Sequence, residues 1–156
     1  MVAIISILTI VGCSESDPIL NDSQTETFST QENALEDFAD GVRGGIMLVN
    51  TTQGEQLLVA NSTQRIYFIS ELLNKDGEYA VVKLSNDVSL NGVPGAGWQF
   101  SSAENNKYTV KLTNEKENNF IQIPGKQLFL SIEQGHNLSK TPASGGNAIE
   151  STEILK

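Results

Sequence analysis

Lys107-Tyr108-Thr109-Val110-Lys111-Leu112-Thr113 decides the fold class. Tyr108, Val110 and Leu112 fall on one side of an extended chain, and Lys107, Thr109, Lys111 and Thr113 on the other. Successive strand side chains point to opposite faces, so this segment predicts a strand with one buried and one wet face. Leu128, Leu130 and Ile132 repeat the pattern against Gln127, Ser131 and Glu133, with Phe129 as the exception.

Working outward, six further short segments have the same character: Ile46–Asn50, Gln56–Ala60, Arg65–Leu72, Glu78–Leu84, Gly97–Ser101 and Asn119–Ile123. Each is rich in β-branched or aromatic residues and bounded by Gly, Asn, Asp or Pro. Ile66-Tyr67-Phe68-Ile69 is apolar on both faces and suits a central strand. Asn74-Lys75-Asp76-Gly77 predicts a hairpin into Glu78–Leu84, because Asp-Gly tolerates the positive φ of a tight turn. Seven or eight such strands predict an all-β domain, a single antiparallel β-sandwich of immunoglobulin-like or jelly-roll-like type, with a small β-barrel as the alternative. The sandwich is expected over residues 41–135 and a C-terminal loop over residues 136–156, with small residues at Thr141–Asn147 and Ala148–Lys156 either adding a last strand or fraying.

Upstream the composition changes. Ser29–Asp40 predicts a short helix: Ser29 and Glu32 fit a capping box, Ala34, Leu35, Phe38 and Ala39 share a face, and Gly41 is the natural stop. Asp37 and Asp40 oppose the helix dipole at its C-terminal end, so this helix needs docking to persist. Ser14–Thr30 is polar and cannot bury enough apolar surface to repay ordering, so residues 13–40 are expected to be a flexible acidic spacer carrying that helix. Seventeen flexible residues would span about 20–25 Å.

Residues 14–40 hold eight acids, Glu15, Asp17, Asp22, Glu26, Glu32, Glu36, Asp37 and Asp40, and no Lys or Arg. The whole chain carries a net charge of −9, so most of it belongs to this segment and the body is close to neutral. Neither part has the basic stripe of a nucleic-acid-binding protein, and no nucleic-acid partner is expected.

Val2–Val11 is an almost unbroken apolar run ending in Gly12 and Cys13, the only cysteine of the chain. It is shorter than the roughly 20 residues that cross a bilayer, and it fits the apolar core of a signal peptide. The alternative is a buried strand with Cys13 as a small buried hydrophobe. Ile10-Val11-Gly12-Cys13 resembles the lipobox of bacterial lipoproteins, although no Lys or Arg precedes the run. That resemblance implies a signal peptide over residues 1–12, lipidation of Cys13, and a lipid-anchored location in a bacterial cell envelope, with the outer membrane as the expected site. Ser14-Glu15-Ser16-Asp17 is loosely similar to the export signals of Bacteroidota surface lipoproteins.

Candidate sites are few. Trp98 sits where the glycine-rich stretch Gly92–Gly97 meets a strand, and with Gly95 and Gly97 it is a candidate ligand face for a sugar ring or peptide. Trp98 and Phe100 share a parity, which assigns both to the inter-sheet core instead. The glycine-rich stretch lacks the Lys-Ser/Thr and following helix of a phosphate-binding loop. His136, the single histidine, lies in a predicted exposed loop and is a further ligand-binding candidate. Without partners it supplies neither a metal cluster nor a catalytic triad. Asn74, Asp76 and Glu78 match only a fragment of a calcium loop, and no metal or cofactor is expected. Carboxylate-based hydrolysis needs two convergent acids, and none of the body's acids stands in an apolar run that would raise its pKa.

The leading expectation is a lipid-anchored, non-catalytic β-sandwich that binds a protein or glycan. The alternatives are an envelope inhibitor or immunity protein acting through Gly92–Gly97 or Gly135–Ser139, and a small carboxylate hydrolase.

Overall fold

The computed structural model describes residues 25–63, 65–138 and 146–156, so Cys13, the apolar run before it and the spacer as far as residue 24 lie outside the described residues. After a helix α1 (Gln31–Gly41), ten strands follow: β1 (Ile46–Thr51), β2 (Gln56–Thr63), β3 (Ile66–Lys75), β4 (Glu78–Lys83), β5 (Val88–Ser89), β6 (Gly95–Ser101), β7 (Lys107–Thr113), β8 (Ile121–Gln122), β9 (Phe129–Gln134) and β10 (Ile149–Ile154). They form two open antiparallel sheets, which makes the fold a sandwich and not a closed barrel. The larger sheet has the order β10-β1-β2-β3-β4, with β5 added to β3; the smaller has the order β6-β7-β9-β8. The larger sheet is thus mainly a meander, whereas immunoglobulin sheets interleave strands from distant parts of the sequence.

Register explains the apolar runs. Met47, Val59 and Ile69 stand opposite one another across β1, β2 and β3, as do Val49, Leu57 and Glu71 one step along the same face. This face meets Trp98, Phe100, Tyr108, Val110, Leu112, Leu130 and Ile132 of the smaller sheet to form the main core. Phe100 and Tyr108, cross-strand partners on β6 and β7, stack with centroids 5.4 Å apart.

The opposite face of the larger sheet is also apolar. Ile46, Leu48, Leu58, Ala60 and Phe68 form a second cluster, covered by Leu35, Phe38 and Ala39 of α1. Phe38 meets Phe68 edge-on at 6.2 Å. A sheet covered on both faces needs apolar residues at both parities, and this accounts for Ile66–Ile69. The order of layers is helix, six-stranded sheet, four-stranded sheet.

The helix therefore belongs to the folded body, which begins before residue 41. Phe28 extends it further, exchanging backbone hydrogen bonds of 2.8 and 2.7 Å with Tyr79 on β4. The N-cap is Thr30, not Ser29, and its side-chain oxygen accepts from the Asn33 N–H. Gly41 is the last helical residue and not the stop. The acids near the C-terminal end are offset from far along the chain: Lys156 Nζ donates to the carbonyls of Ala39 (2.8 Å) and Val42 (2.7 Å). A cation on these carbonyls opposes the dipole's negative end, the role that no residue of the helix fills. The C-terminal segment is likewise integral, since β10 pairs with β1 from Met47–Ile154 to Thr51–Ile149.

The predicted hairpin is present: Lys75 pairs with Glu78, while Asp76 (φ 56°) and Gly77 (φ 86°) adopt left-handed conformations. β10 forms the last strand within Ala148–Lys156 in place of a frayed end, and β5 is the strand that was not expected. β5 has only two residues, too few to show a period.

Candidate functional site

Trp98 points into the inter-sheet core with 8% of its surface exposed. Its shared parity with Phe100 is realised as core packing, and the ligand-stacking role considered for it has no exposed ring face. Gly95 and Gly97 are explained by packing. A Cβ on Gly95 would lie 2.6 Å from the Leu112 carbonyl oxygen, and one on Gly97 would lie 2.8 Å from Leu138 Cδ2.

His136 is exposed, and its Nε2 lies 3.2 Å from the Phe100 carbonyl oxygen. It belongs to a loop laid along the outer side of β6. Asn137 N–H donates to Thr109 Oγ1 (2.7 Å), which itself donates to the Gly135 carbonyl (2.7 Å). With its amide oxygen turned toward this loop, Gln99 accepts from Asn137 N–H (3.0 Å) and Leu138 N–H (3.3 Å). The structure thus brings Gly97 and the His136 loop together on the outer face, while Trp98 faces the opposite way.

The polar groups that matter most were not singled out in the sequence. At one end of the sandwich the β1–β2 turn meets the β6–β7 turn through Glu55, 6% exposed. Its Oε2 accepts from Thr51 Oγ1 (2.6 Å) and Tyr108 Oη (2.7 Å), and its Oε1 from Asn106 Nδ2 (2.6 Å). Glu71, 2% exposed, reaches the same turn, where its Oε2 accepts from the Ala103 N–H at 2.7 Å.

The two carboxyls titrate in opposite directions. Burial pushes Glu55 up, but the hydrogen bonds from Thr51, Tyr108, Asn106 and its own backbone outweigh it and hold the carboxyl below its ordinary value. Burial also pushes Glu71 up; one backbone N–H opposes it, the charges of Glu55 and Glu104 add to it, and the net shift is upward. Tyr108 is raised by burial and by its bond to Glu55, and so stays a neutral donor. The expectation that no acid stands in an apolar run is corrected here. Glu71 shares its strand face with Tyr67 and Ile69, and that parity was the available signal.

On the outer face of the smaller sheet, Glu133 is 1% exposed. Its Oε1 lies 3.2 Å from Lys111 Nζ, and its Oε2 has no hydrogen-bond partner among the described residues. Parity alone places Glu133 on a wet face; Asn147, bridged to it through the backbone, helps to cover it.

The acids of the Glu55 cluster act as fasteners between the sheets. Glu55 has both oxygens engaged, and neither it nor Glu71 lines either of two concavities elsewhere. One of these is a cleft of about 50 Å³ beside Tyr67, Lys126 and Lys156. The other is a groove of about 520 Å³ between α1 and the β1–β10 edge, floored by Leu35, Ala39, Leu48 and Leu155 and rimmed by Glu32, Glu36 and Glu153. Among the described residues no group of three His, Cys, Asp or Glu side chains is placed to hold a metal ion. No protein-family description, curated protein or solved structure matches the chain.

Proposed function

We propose that this chain is a lipid-anchored, non-catalytic β-sandwich of a bacterial cell envelope that binds another protein. The membrane part of the proposal rests on Ile10-Val11-Gly12-Cys13 and on the acidic spacer that follows it. Two or three acyl chains on Cys13, at about 0.8 kcal/mol per buried CH₂, would hold the body at a membrane without a spanning helix.

The observation that carries the binding part is the disposition of the acids. Glu55, the most heavily bonded carboxylate, is saturated by the protein's own donors. Glu32, Glu36 and Glu153 instead stand exposed around an apolar floor. General acid–base chemistry needs a carboxyl that can reach a substrate, whereas recognition needs an accessible surface with both apolar and charged parts. A protein partner is favoured over a glycan because Trp98, the side chain best suited to stack on a sugar, is buried.

Intact-mass measurement on the membrane fraction tests the anchor: the expected species lacks residues 1–12 and carries acyl chains on Cys13, and Cys13→Ser leaves an unlipidated precursor. Recovery of the wild-type chain with Met1 attached and Cys13 free would overturn it. Affinity capture from solubilised envelopes tests the binding part, with one protein enriched as the expected result. Saturable retention by a glycan array, with no protein enriched, would overturn it.

A further inference from the structure

The groove between α1 and β10 is more than a gap between a helix and a sheet, because two features converge there. The first is an apolar floor with charge of one sign at its rim. Leu35 and Ala39 come from α1, Leu48 from β1 and Leu155 from the end of the chain, while the rim residues Glu32, Glu36 and Glu153 are all exposed acids and no Lys or Arg lines the groove. The second is an open strand edge. β10 pairs with β1 on one side and with no strand of the described residues on the other. Five of its six residues, Glu150 to Ile154, are exposed. An open edge presents unpaired backbone N–H and C=O groups that another extended chain can join.

Acids on an edge strand can serve merely to discourage self-pairing. That role explains Glu150 and Glu153 but does not require Glu32 and Glu36 to converge from the helix on the same floor. Charge also selects among occupants. The chain's own spacer carries Glu15, Asp17 and Asp22 and would be repelled, and a second copy would bring its own three rim carboxylates against these. An anionic membrane surface is excluded on the same ground.

We propose that the groove and the adjoining β10 edge receive a basic, extended segment of a partner protein, whose groove-facing side chains, every second residue, combine apolar groups on the floor with Lys or Arg against Glu32, Glu36 and Glu153. The proposal rests on the reading of the chain as a protein-binding module, and it is independent of the anchor. A strand places alternate side chains on one face, so such a segment can pair with β10 and fill the groove at once.

The test uses the full chain in non-ionic detergent and a fluorescein-labelled hexapeptide, Lys-Ser-Val-Ser-Lys-Ser, whose lysines and valine share one strand face, read by anisotropy. Saturable binding is expected, weakening as salt is raised. Glu36→Lys combined with Glu153→Lys should weaken it at least about tenfold, with the corresponding Gln pair intermediate. Both positions are exposed, so an unchanged melting temperature is expected to accompany the loss. Equal binding of the same hexapeptide with both lysines replaced by glutamate, or unchanged affinity in the Lys variant, would overturn the proposal. So would a dimer of the full chain that the Lys pair abolishes, since the occupant would then be a second copy. If the hexapeptide fails while affinity capture still enriches a protein, the groove is overturned and the binding role stands. If both fail, the binding role falls as well.

Discussion

Two acidic regions of this molecule use the same side chain to opposite ends. Where the β1–β2 and β6–β7 turns meet, Glu55 and Glu71 are buried and turned inward onto Thr51, Tyr108, Asn106 and the Ala103 amide. At the α1–β10 groove, Glu32, Glu36 and Glu153 are exposed around apolar side chains. A carboxylate supplied with donors inside the fold joins two sheets; one left in water over an apolar floor remains available to something else. Composition alone treats these acids as equivalent, and the backbone neighbours make them different.

Substitutions in the closed region should change stability, and those in the open region should not. The largest effect is expected at Trp98, whose ring fills the core between the sheets. Trp98→Ala should cost about 3–5 kcal/mol, the scale for removing a buried large aromatic. Its emission should be blue-shifted in the folded protein and insensitive to quenchers. Quenchable emission and a near-neutral stability change in denaturant titrations would return Trp98 to the list of binding residues.

Glu55→Gln should cost about 1.5–3 kcal/mol at pH 7, because bonds to an ionised acceptor are lost and one amide hydrogen faces a donor. The pH dependence sharpens this. Glu55 is held below its ordinary value in the folded state, so its contribution is fully present above the unfolded carboxylate range and disappears as pH falls through the lower, folded value.

Glu71 should behave in the opposite sense. Its folded value is raised, so ionised Glu71 costs stability at neutral pH, and that cost is relieved as pH falls from the folded value toward the unfolded one. Glu71→Gln keeps an oxygen for the Ala103 N–H and should raise stability by roughly 1 kcal/mol at pH 7, with no gain below the unfolded carboxylate range. Chemical denaturation of both variants across pH tests the pair, and parallel rather than opposed profiles would break the assignment. The smallest effect is expected in the groove: Glu36→Lys with Glu153→Lys should change unfolding free energy by no more than about 0.5 kcal/mol, as exposed substitutions usually do.

Much of the fold was legible because strand periodicity survives in a single sequence. Tyr108, Val110 and Leu112 announced an inward face, and Asp76-Gly77 announced a turn. The double-sided burial of the larger sheet was half legible: Ile66–Ile69 showed a central strand, but not that α1 covers it. The helix was readable as an element, while its docking depends on Phe38 meeting Phe68 and on Lys156 reaching back to Ala39 and Val42, neither of which leaves a local pattern. The Glu55 cluster joins four strands or their turns, so only the parity of Glu71 with Tyr67 and Ile69 hinted at it. The groove was invisible for the same reason, because its floor and rim come from α1, from Leu48 of β1 and from the far end of the chain.

The contrast between the closed and the open acidic region is tested most directly in the cell envelope. A photo-crosslinking amino acid placed at Glu153, on the groove, or at Glu104, an exposed position on the turn that covers Glu71, interrogates both regions in otherwise identical chains. The expected result is a discrete adduct with a second protein from position 153 and none from position 104. An adduct from position 104 with none from position 153 would contradict the account, because the partner would then sit on the turn assigned to holding the sheets together.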